Sequence, residues 1–361
     1  MAQPILPLNQ ILHGDCLKHL KTLPNASVDL VFADPPYNLQ LSNDLWRPDM
    51  TKVDAVDDAW DRFESLSAYD AFTRAWLAEC QRILKPTGTL WVIGTYHNIY
   101  RVGAQLMDLG YWILNEVIWH KTNPMPQFRG VRFTNAHETL IWAKPAREGR
   151  YTFNYHAMKH LNGGKQMRST WALPICNGKE RIRENGEKAH STQKPEALLE
   201  RVLLASSNPG DIVLDPFFGS GTTGAVAKRL QRHWIGIERE SAYVRIATRR
   251  IEQIMPAALP ELPQGKRQQA RIPLRQVIEA GLIPAGETLY FQSRSDQYAE
   301  LLEDGKIQYH QTIGSIHRIG REIMGSATCN GWEHWYFEDS DGSLQPLDVL
   351  RQRLRATQEP S

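Results

Sequence analysis

Four consecutive residues, Asp34-Pro35-Pro36-Tyr37, join a carboxylate, two stiff prolines and an aromatic ring directly after the apolar run Val28-Asp29-Leu30-Val31-Phe32-Ala33. The run reads as a buried parallel strand. The tetrapeptide therefore falls at a strand's C-terminal end, where open α/β sheets place their ligands. These residue types suit the holding of a flat, hydrogen-bonding ring that carries an exocyclic amine. Asp34 can accept from such an amine, and so can the carbonyl of Pro35, because the Pro36 that follows has no N–H and a fixed φ. Tyr37 offers a face for stacking. The competing reading is an ordinary strand exit, since Asp-Pro often opens a turn.

A second element narrows the choice. Asp211-Ile-Val-Leu-Asp215 is another short apolar strand, and it runs into Pro216-Phe217-Phe218-Gly219-Ser220-Gly221-Thr222-Thr223-Gly224 and then a helical pattern from Ala225 to Leu230. Strand, glycine turn and helix form the layout of a nucleotide-type pocket. Glycine suits a backbone that a ligand must approach closely and whose φ must be free. The next strand, Trp234-Ile-Gly-Ile-Glu238, ends in an acid placed to bind ribose hydroxyls. A glycine fingerprint alone would serve a dehydrogenase equally well; the two sites together point to group transfer onto an amine.

At this point the chain resembles a known family. Asp34-Pro-Pro-Tyr37 is similar to the catalytic motif of S-adenosylmethionine-dependent amino methyltransferases, and Asp215-Pro-Phe-Phe-Gly-Ser-Gly-Thr-Thr223 to their cofactor motif. The catalytic motif comes first, the permuted order of the β group of DNA adenine-N6 methyltransferases. His13-Gly14-Asp15-Cys16, His190-Ser191-Thr192-Gln193-Lys194-Pro195, Val53–Asp58 and Ser315–Gly320 extend the likeness from end to end. It is nearest to the cell-cycle-regulated GANTC methyltransferases of alphaproteobacteria. Ser191 departs from the proline more common there, which loosens a turn without removing chemistry.

The resemblance implies an α/β, Rossmann-like methyltransferase fold with permuted motifs and a small C-terminal α+β domain. It implies catalysis at Asp34, Pro35, Pro36 and Tyr37 by direct transfer to adenine N6 of a flipped base. Backbone at Phe217, Gly219 and Gly221 would hold S-adenosylmethionine, with Asp215 and Thr222 of the same motif and Glu238 on the ribose. Asp15 would meet the cofactor's adenine, and Thr192 and Lys194 its methionine end. Asp15 could equally cap the following helix, and Lys194 could be plain surface. The partner implied is duplex DNA, and a palindromic site suggests a homodimer.

Composition excludes more than it selects. In 361 residues the formal charge is +2, so no basic excess announces nucleic acid and local clusters must supply attraction. Cys16, Cys80, Cys176 and Cys329 are scattered, without the paired spacing of a zinc site or a disulfide framework. His137-Glu138 lacks a second histidine and His156-x-x-x-His160 lacks further ligands, so no metal is expected. No apolar window reaches membrane-spanning length, and the N-terminus lacks a signal pattern. A cytoplasmic, bacterial and nucleoid-associated protein is expected.

Strands and amphipathic helices alternate over residues 1–255, the pattern of a doubly wound parallel sheet. Residues 256–273 contain four prolines and no apolar periodicity, and read as a linker. Residues 274–355 read as a compact α+β module, with a helix over Leu274–Ala280, strands at Thr288–Gln292 and Trp332–Glu338, and a turn at Asp341-Gly342; the resemblance implies that it helps bind DNA. Glu287–Ser293 resembles a viral protease cleavage site but reads as a native strand. DNA contacts are expected from Trp46, Arg47 and Trp60 in the loop after the catalytic motif. Further contacts are expected from Lys121, Asn123, Arg129, Arg132 and Arg168 in a target-recognition region over about 120–190, and from Arg267, Arg271 and Arg318 in the tail.

Three readings remain at this level. The first is a DNA adenine-N6 methyltransferase. The second is another amino methyltransferase, acting on cytosine N4, RNA or a protein amide; those groups more often carry Ser or Asn where Asp34 stands. The third is a DNA-binding subunit without catalysis, which the intact Asp34, Tyr37 and glycine turn oppose.

Overall fold

A computed structural model describes residues 6–39, 61–127, 130–184, 187–188, 192–257 and 272–358. Trp46, Arg47, Trp60, Arg129, Arg267 and Arg271, with most of the segment read as a linker, lie outside the described residues. The chain divides into two compact units, Met1–Gly265 and Lys266–Ser361.

The strands of the first unit are β1 (Gln10–His13), β2 (Val28–Ala33), β3 (Leu84–Gly94), β4 (Trp112–Lys121), β5 (His137–Lys144), β6 (Thr170–Leu173), β7 (Arg183–Glu184), β8 (Glu187–Lys188), β9 (Ile212–Asp215) and β10 (His233–Glu238). Its helices are α1 (Cys16–Leu20), α2 (Leu66–Ile83), α3 (Ile99–Asp108), α4 (Tyr155–Leu161), α5 (Glu196–Ser206), α6 (Thr222–Arg229) and α7 (Ser241–Glu252). Eight strands form one sheet in the order β1-β10-β9-β2-β3-β5-β4-β6, while β7 and β8 pair only with each other.

The central strands are apolar on both faces because both faces are covered. Leu30 and Phe32 of β2, Trp91 and Ile93 of β3, and Val213 of β9 join one core with α4 to α7. Their neighbours Val31, Ala33, Leu90, Val92 and Leu214 join the other, with α1 to α3. The helices show the matching three-to-four spacing: α2 is capped by Ser65, whose hydroxyl accepts from the Ala68 N–H, and buries Tyr69, Thr73, Trp76, Leu77, Cys80 and Ile83.

The sheet is mixed rather than wholly parallel. β5 runs antiparallel to both β3 and β4. Adjacent antiparallel strands need no crossover helix, so a connection without one suffices between β4 and β5. The site follows from the rest of the topology. β9 leads through α6 to β10 on one side, β2 leads through α2 to β3 on the other, and β2 and β9 lie side by side. Where connections diverge in this way a crevice opens beyond the strands' carboxyl ends, and both sequence motifs begin there.

The second unit holds α8 (Leu274–Glu279), β11 (Thr288–Phe291), β12 (Arg294–Leu301), β13 (Ile307–Tyr309), β14 (Thr312–Gly314), α9 (Ile316–Met324), α10 (Gly331–His334), β15 (Trp335–Glu338), β16 (Leu344–Pro346) and α11 (Asp348–Gln358). Its six strands form a separate sheet, β14-β13-β12-β11-β15-β16, over a core that includes Phe291, Leu301, Ile319, Trp335 and Leu350. β11 lies inside this sheet, so Thr288–Phe291 of the protease-like stretch is folded strand, while Gln292 and Ser293 form the turn into β12. The expected strand Trp332–Glu338 begins instead as a helical turn. The Trp332 side chain is buried from that turn, and extended backbone starts only at Trp335.

One packing constraint is unusually tight. A Cβ on Gly236 of β10 would lie 2.5 Å from Cγ of Phe218, a ring held by stacking on Trp234 at 5.4 Å between centroids. Gly236→Ala is expected to destabilise the first unit by about 1–3 kcal/mol, the usual scale for overpacking. Urea denaturation should show a lower midpoint at unchanged slope.

Candidate active site

The strand-turn-helix at β9 is built from its own side chains. Asp215, at the end of β9, accepts from the Phe217 N–H at 2.9 Å and the Thr223 hydroxyl at 2.6 Å. Glu238, at the end of β10, accepts from the Gly219 N–H and the Glu240 N–H, each at 2.7 Å. Gly221 starts α6 at φ 75°, and a Cβ there would lie 2.8 Å from that of Ala247. Glycine is thus required at this position by packing on α7, and Gly221 does not line the cavity beside it. Arg250 reaches the turn from α7, donating to the Thr222 hydroxyl at 2.9 Å while paired with Glu196 at 2.6 Å.

The cavity occupies about 340 Å³ beyond the ends of β2, β9 and β10. Asp15, Asp34, Asp215 and Glu238 all line it, and Phe72 and Phe217 give it an aromatic wall. Burial pushes the Asp215 carboxyl up to about 7, against the pull of Thr223 and the Phe217 N–H. Burial also raises Glu238, opposed by the Glu240 and Gly219 N–H groups. Converging carboxylates held uncomfortably away from water, beside an aromatic wall, form a receptor for a cationic ligand with a flat ring.

Asp34 and Tyr37 stand at the edge of this cavity in a dense charge cluster. The Tyr37 hydroxyl lies 2.9 Å from Asp34 Oδ1 and 3.2 Å from Glu138 Oε2. Lys194 donates to Asp34 Oδ2 at 2.6 Å and lies 3.9 Å from Glu138 Oε2, with its ammonium 5.3 Å from the Tyr37 ring centroid. Lys121 pairs with Glu138 Oε1 at 2.8 Å. Burial raises the Asp34 carboxyl despite Lys194. For Glu138 burial is outweighed by Lys194 and Lys121, so it stays ionised below the usual carboxylate range. Tyr37 is pushed well above its ordinary value by burial and by both carboxylates.

The backbone of the motif is fixed from outside it. Asp61 accepts from the N–H groups of Tyr37, Asn38 and Leu39, at 2.5, 2.9 and 3.0 Å. Tyr69 donates to the Pro36 carbonyl at 3.0 Å. Among the described residues the Pro35 carbonyl accepts no hydrogen bond.

The family described as DNA methylase, covering N6 and N4 enzymes, matches residues 28–249, which include both motifs and the cavity between them. The chain belongs to this family. A second description, Restriction Enzyme Adenine Methylase Associated, matches residues 257–360. The chain is 48% identical to the type II methyltransferase M.HinfI of Haemophilus influenzae over 95% of its own length and 96% of that protein's. It is 43% identical to the type II methyltransferase M2.DpnII of Streptococcus pneumoniae over 70% and 93% of the two lengths. The cytosine-N4-specific PvuII DNA methyltransferase shares the fold, with a TM-score of 0.55 and 22% identity over 70% of this chain and 88% of that one. The chain is therefore a DNA methyltransferase whose methyl donor is S-adenosylmethionine. The cavity suits that donor: its sulfonium and ammonium charges answer the carboxylates, and its adenine the aromatic wall.

The structure of this methyltransferase brings Asp15, Asp34, Pro36, Thr192, Lys194, Asp215, Phe217, Gly219, Thr222 and Glu238 around one cavity. Asp15 also caps α1, accepting from Lys18 N at 3.0 Å, so both readings of that residue hold in its geometry. Lys194, expected at the cofactor's methionine end, lines the cavity and is bonded to Asp34 there. Lys121, expected on DNA, is drawn inward to Glu138 with 15% of its side chain exposed. Asn123 ties its loop to Ile175 N at 2.8 Å, Arg132 donates to the Tyr96 hydroxyl at 3.0 Å, and Arg168 is exposed. Arg318 pairs with Glu322 on α9.

Glu138, Asp61, Phe72 and Arg250 were not singled out from the sequence. Glu138 carried one signal, an acid at the head of the apolar run Thr139–Ala143.

The Asp215 carboxyl makes stability depend on pH. Its folded value is raised from 3.8 to about 7, so its share of stability is full below about 4 and is lost as pH climbs through 7. Asp215→Asn removes the charge while keeping the acceptor for Phe217 N. Without cofactor at pH 8 the variant should be more stable than the parent by roughly 2–4 kcal/mol, with the gap closing toward pH 4. Thermal or urea unfolding across that range checks both parts.

Proposed function

We propose that this methyltransferase transfers the methyl group of S-adenosylmethionine to N6 of adenine, within GANTC, on a base turned out of the duplex. The observation that carries the reading is the pair of acceptors at the end of β2. Asp34 lines the cavity, and the Pro35 carbonyl next to it in the chain accepts no hydrogen bond among the described residues, so on this reading an exocyclic amine gives one N–H to each. Aspartate in place of Ser or Asn favours adenine over cytosine N4. So does the adenine-methylase-associated description of residues 257–360. The GANTC target rests on the end-to-end resemblance of the sequence.

The cofactor, when bound, supplies an electrophilic methyl group. The chain's own residues prepare the nucleophile. An adenine amine is weakly nucleophilic because its lone pair is delocalised into the ring. Accepting hydrogen bonds from both N–H groups favours the pyramidal geometry that returns the lone pair to nitrogen. Alignment in a fixed site then lowers much of the barrier. A base stacked in a duplex cannot reach the crevice, so it must be extruded. The Tyr37 ring, tethered by its hydroxyl, supplies an aromatic face at the entrance. No covalent intermediate with the chain is needed.

A symmetric dimer would match a palindromic site. A cell-cycle role rests on the resemblance alone. The type II naming of both relatives favours a second reading, modification that accompanies a restriction activity.

Incubation of a GANTC duplex with protein and cofactor should yield N6-methyladenine as the only modified nucleoside. Asp34→Ala should retain cofactor affinity by calorimetry while turnover falls by about a hundredfold or more, the scale for losing a well-placed polar catalytic contact. N4-methylcytosine in the digest, or half-normal turnover in the variant, would reject the assignment.

The second unit is proposed to bind DNA, because the near-neutral whole lacks long-range attraction. Ending the chain after Gly265 should leave cofactor binding intact, since every cavity residue lies upstream. Duplex affinity should drop, and its dependence on salt should become shallower as phosphate contacts disappear. Titrations at several salt concentrations measure both; an unchanged slope would assign the unit another role.

A further inference from the structure

In the cluster at the end of β2 one donor faces two acceptors. Tyr37 has one hydroxyl proton, yet its oxygen sits within hydrogen-bond reach of two carboxylates, Asp34 at 2.9 Å and Glu138 at 3.2 Å. A single O–H donates to one of them at a time. Lys194 shows the same asymmetry, at 2.6 Å from Asp34 and 3.9 Å from Glu138. Both donors therefore rest on Asp34 with Glu138 as the nearest alternative. On the reading above, Asp34 must accept from the target amine, yet each of its oxygens is already engaged.

We propose that Glu138 is a positioning residue: it receives the Tyr37 hydroxyl, and draws on Lys194, as the target amine takes its place on Asp34. This inference rests on Asp34 being the amine's acceptor. Glu138 is built for such a part. It is 8% exposed at the start of β5, and Lys121 holds its Oε1 at 2.8 Å, leaving Oε2 directed to Tyr37 and Lys194. The two lysines hold its carboxyl below the usual carboxylate range, which favours the accepting, ionised form. The exchange moves a hydrogen bond and transfers no proton between groups. Its effect is to vacate Oδ1 of Asp34 without leaving a buried hydroxyl unsatisfied, a loss that would otherwise oppose binding of the amine. Glu138 need not touch base or cofactor to do this.

The substitution that isolates the role is Glu138→Gln. Its amide oxygen would turn to Lys121 and its N–H₂ to Tyr37, so the acceptor facing the hydroxyl disappears while volume is kept. Full-length protein, S-adenosylmethionine and a GANTC duplex would be used for steady-state and single-turnover rates. Four proteins are compared: parent, Glu138→Gln, Tyr37→Phe and the double variant. The expected result is a fall in kcat of roughly tenfold or more for Glu138→Gln, with KM for DNA and cofactor affinity within about twofold. In the Tyr37→Phe background the same substitution should cost several-fold less, because the hydroxyl it would receive is absent. Equal losses in both backgrounds, or a loss confined to KM, would overturn the inference. If Glu138→Gln fails to fold, Glu138→Asp, which keeps the charge but withdraws the oxygen from Tyr37, must give the same split. Undiminished turnover in Asp34→Ala would reject the reading of Asp34 itself. Lost turnover there with parental kcat in Glu138→Gln would reject only the role of Glu138.

Discussion

Lys194 carries its ammonium to 2.6 Å from Asp34 in a place where both side chains have largely left water. A charge so placed is costly unless it is paired, and leaving one partner alone is costlier than removing both. The pair joins residues 160 positions apart, and therefore ties the chain following β2 to the segment ahead of α5. That segment is anchored on each side of the lysine. Gln193 donates to the Glu180 carbonyl at 2.9 Å and accepts from Ile182 N at 3.1 Å. Glu196 pairs with Arg250, which holds Thr222 of the glycine turn. Four residues thus connect the recognition region, the reacting carboxylate and the cofactor loop. A buried pair of this kind adds little net stability; what it supplies is a defined position for Asp34 relative to the methyl donor.

The same economy of charge explains the cavity. Asp15, Asp34, Asp215 and Glu238 face one space, and burial raises Asp34, Asp215 and Glu238 rather than leaving them at ease. On the proposed reading, a cofactor bearing a sulfonium and an ammonium would relieve that tension. The backbone N–H groups of Phe217, Gly219 and Glu240 hold the carboxylates in position meanwhile. The strain falls on the strand ends, where the sheet's divergent connections leave room, and not on the apolar interior of the strands.

Much of this was legible in residue order. Continuous apolar runs let β2, β3 and β9 be read directly, because parallel central strands are apolar on both faces. The glycine turn announced itself by Gly219 and Gly221. Three kinds of feature were not legible. The antiparallel direction of β5 leaves no local trace, since Thr139–Ala143 would be equally apolar either way. Glu138 and Asp61 act on Tyr37 across 101 and 24 positions of sequence, and only the fold sets such distances. Lys121 looked like a phosphate ligand because it stands beside other polar residues. Its neighbours in space, Glu138 and the Trp119 ring 5.4 Å from its ammonium, draw it inward.

The second unit poses a different electrostatic question, because two of its arginines, Arg275 and Arg318, are already paired. Arg275 bonds Glu279 and Arg318 bonds Glu322, each across one helical turn. Such pairs might be thought to neutralise a DNA-binding face. Their exposure argues otherwise: the four side chains are between 49% and 65% exposed. Exposed pairs contribute on the order of 0–1 kcal/mol and are screened by salt. A phosphate releases condensed counterions when it is neutralised, a gain that an internal glutamate cannot offer. On the proposal that this unit binds DNA, the arginines would lose little by exchanging partners. Lys194 and Asp34 differ from these pairs in one physical respect, the absence of water. That difference is why the catalytic pair is fixed in place while the surface pairs remain exchangeable.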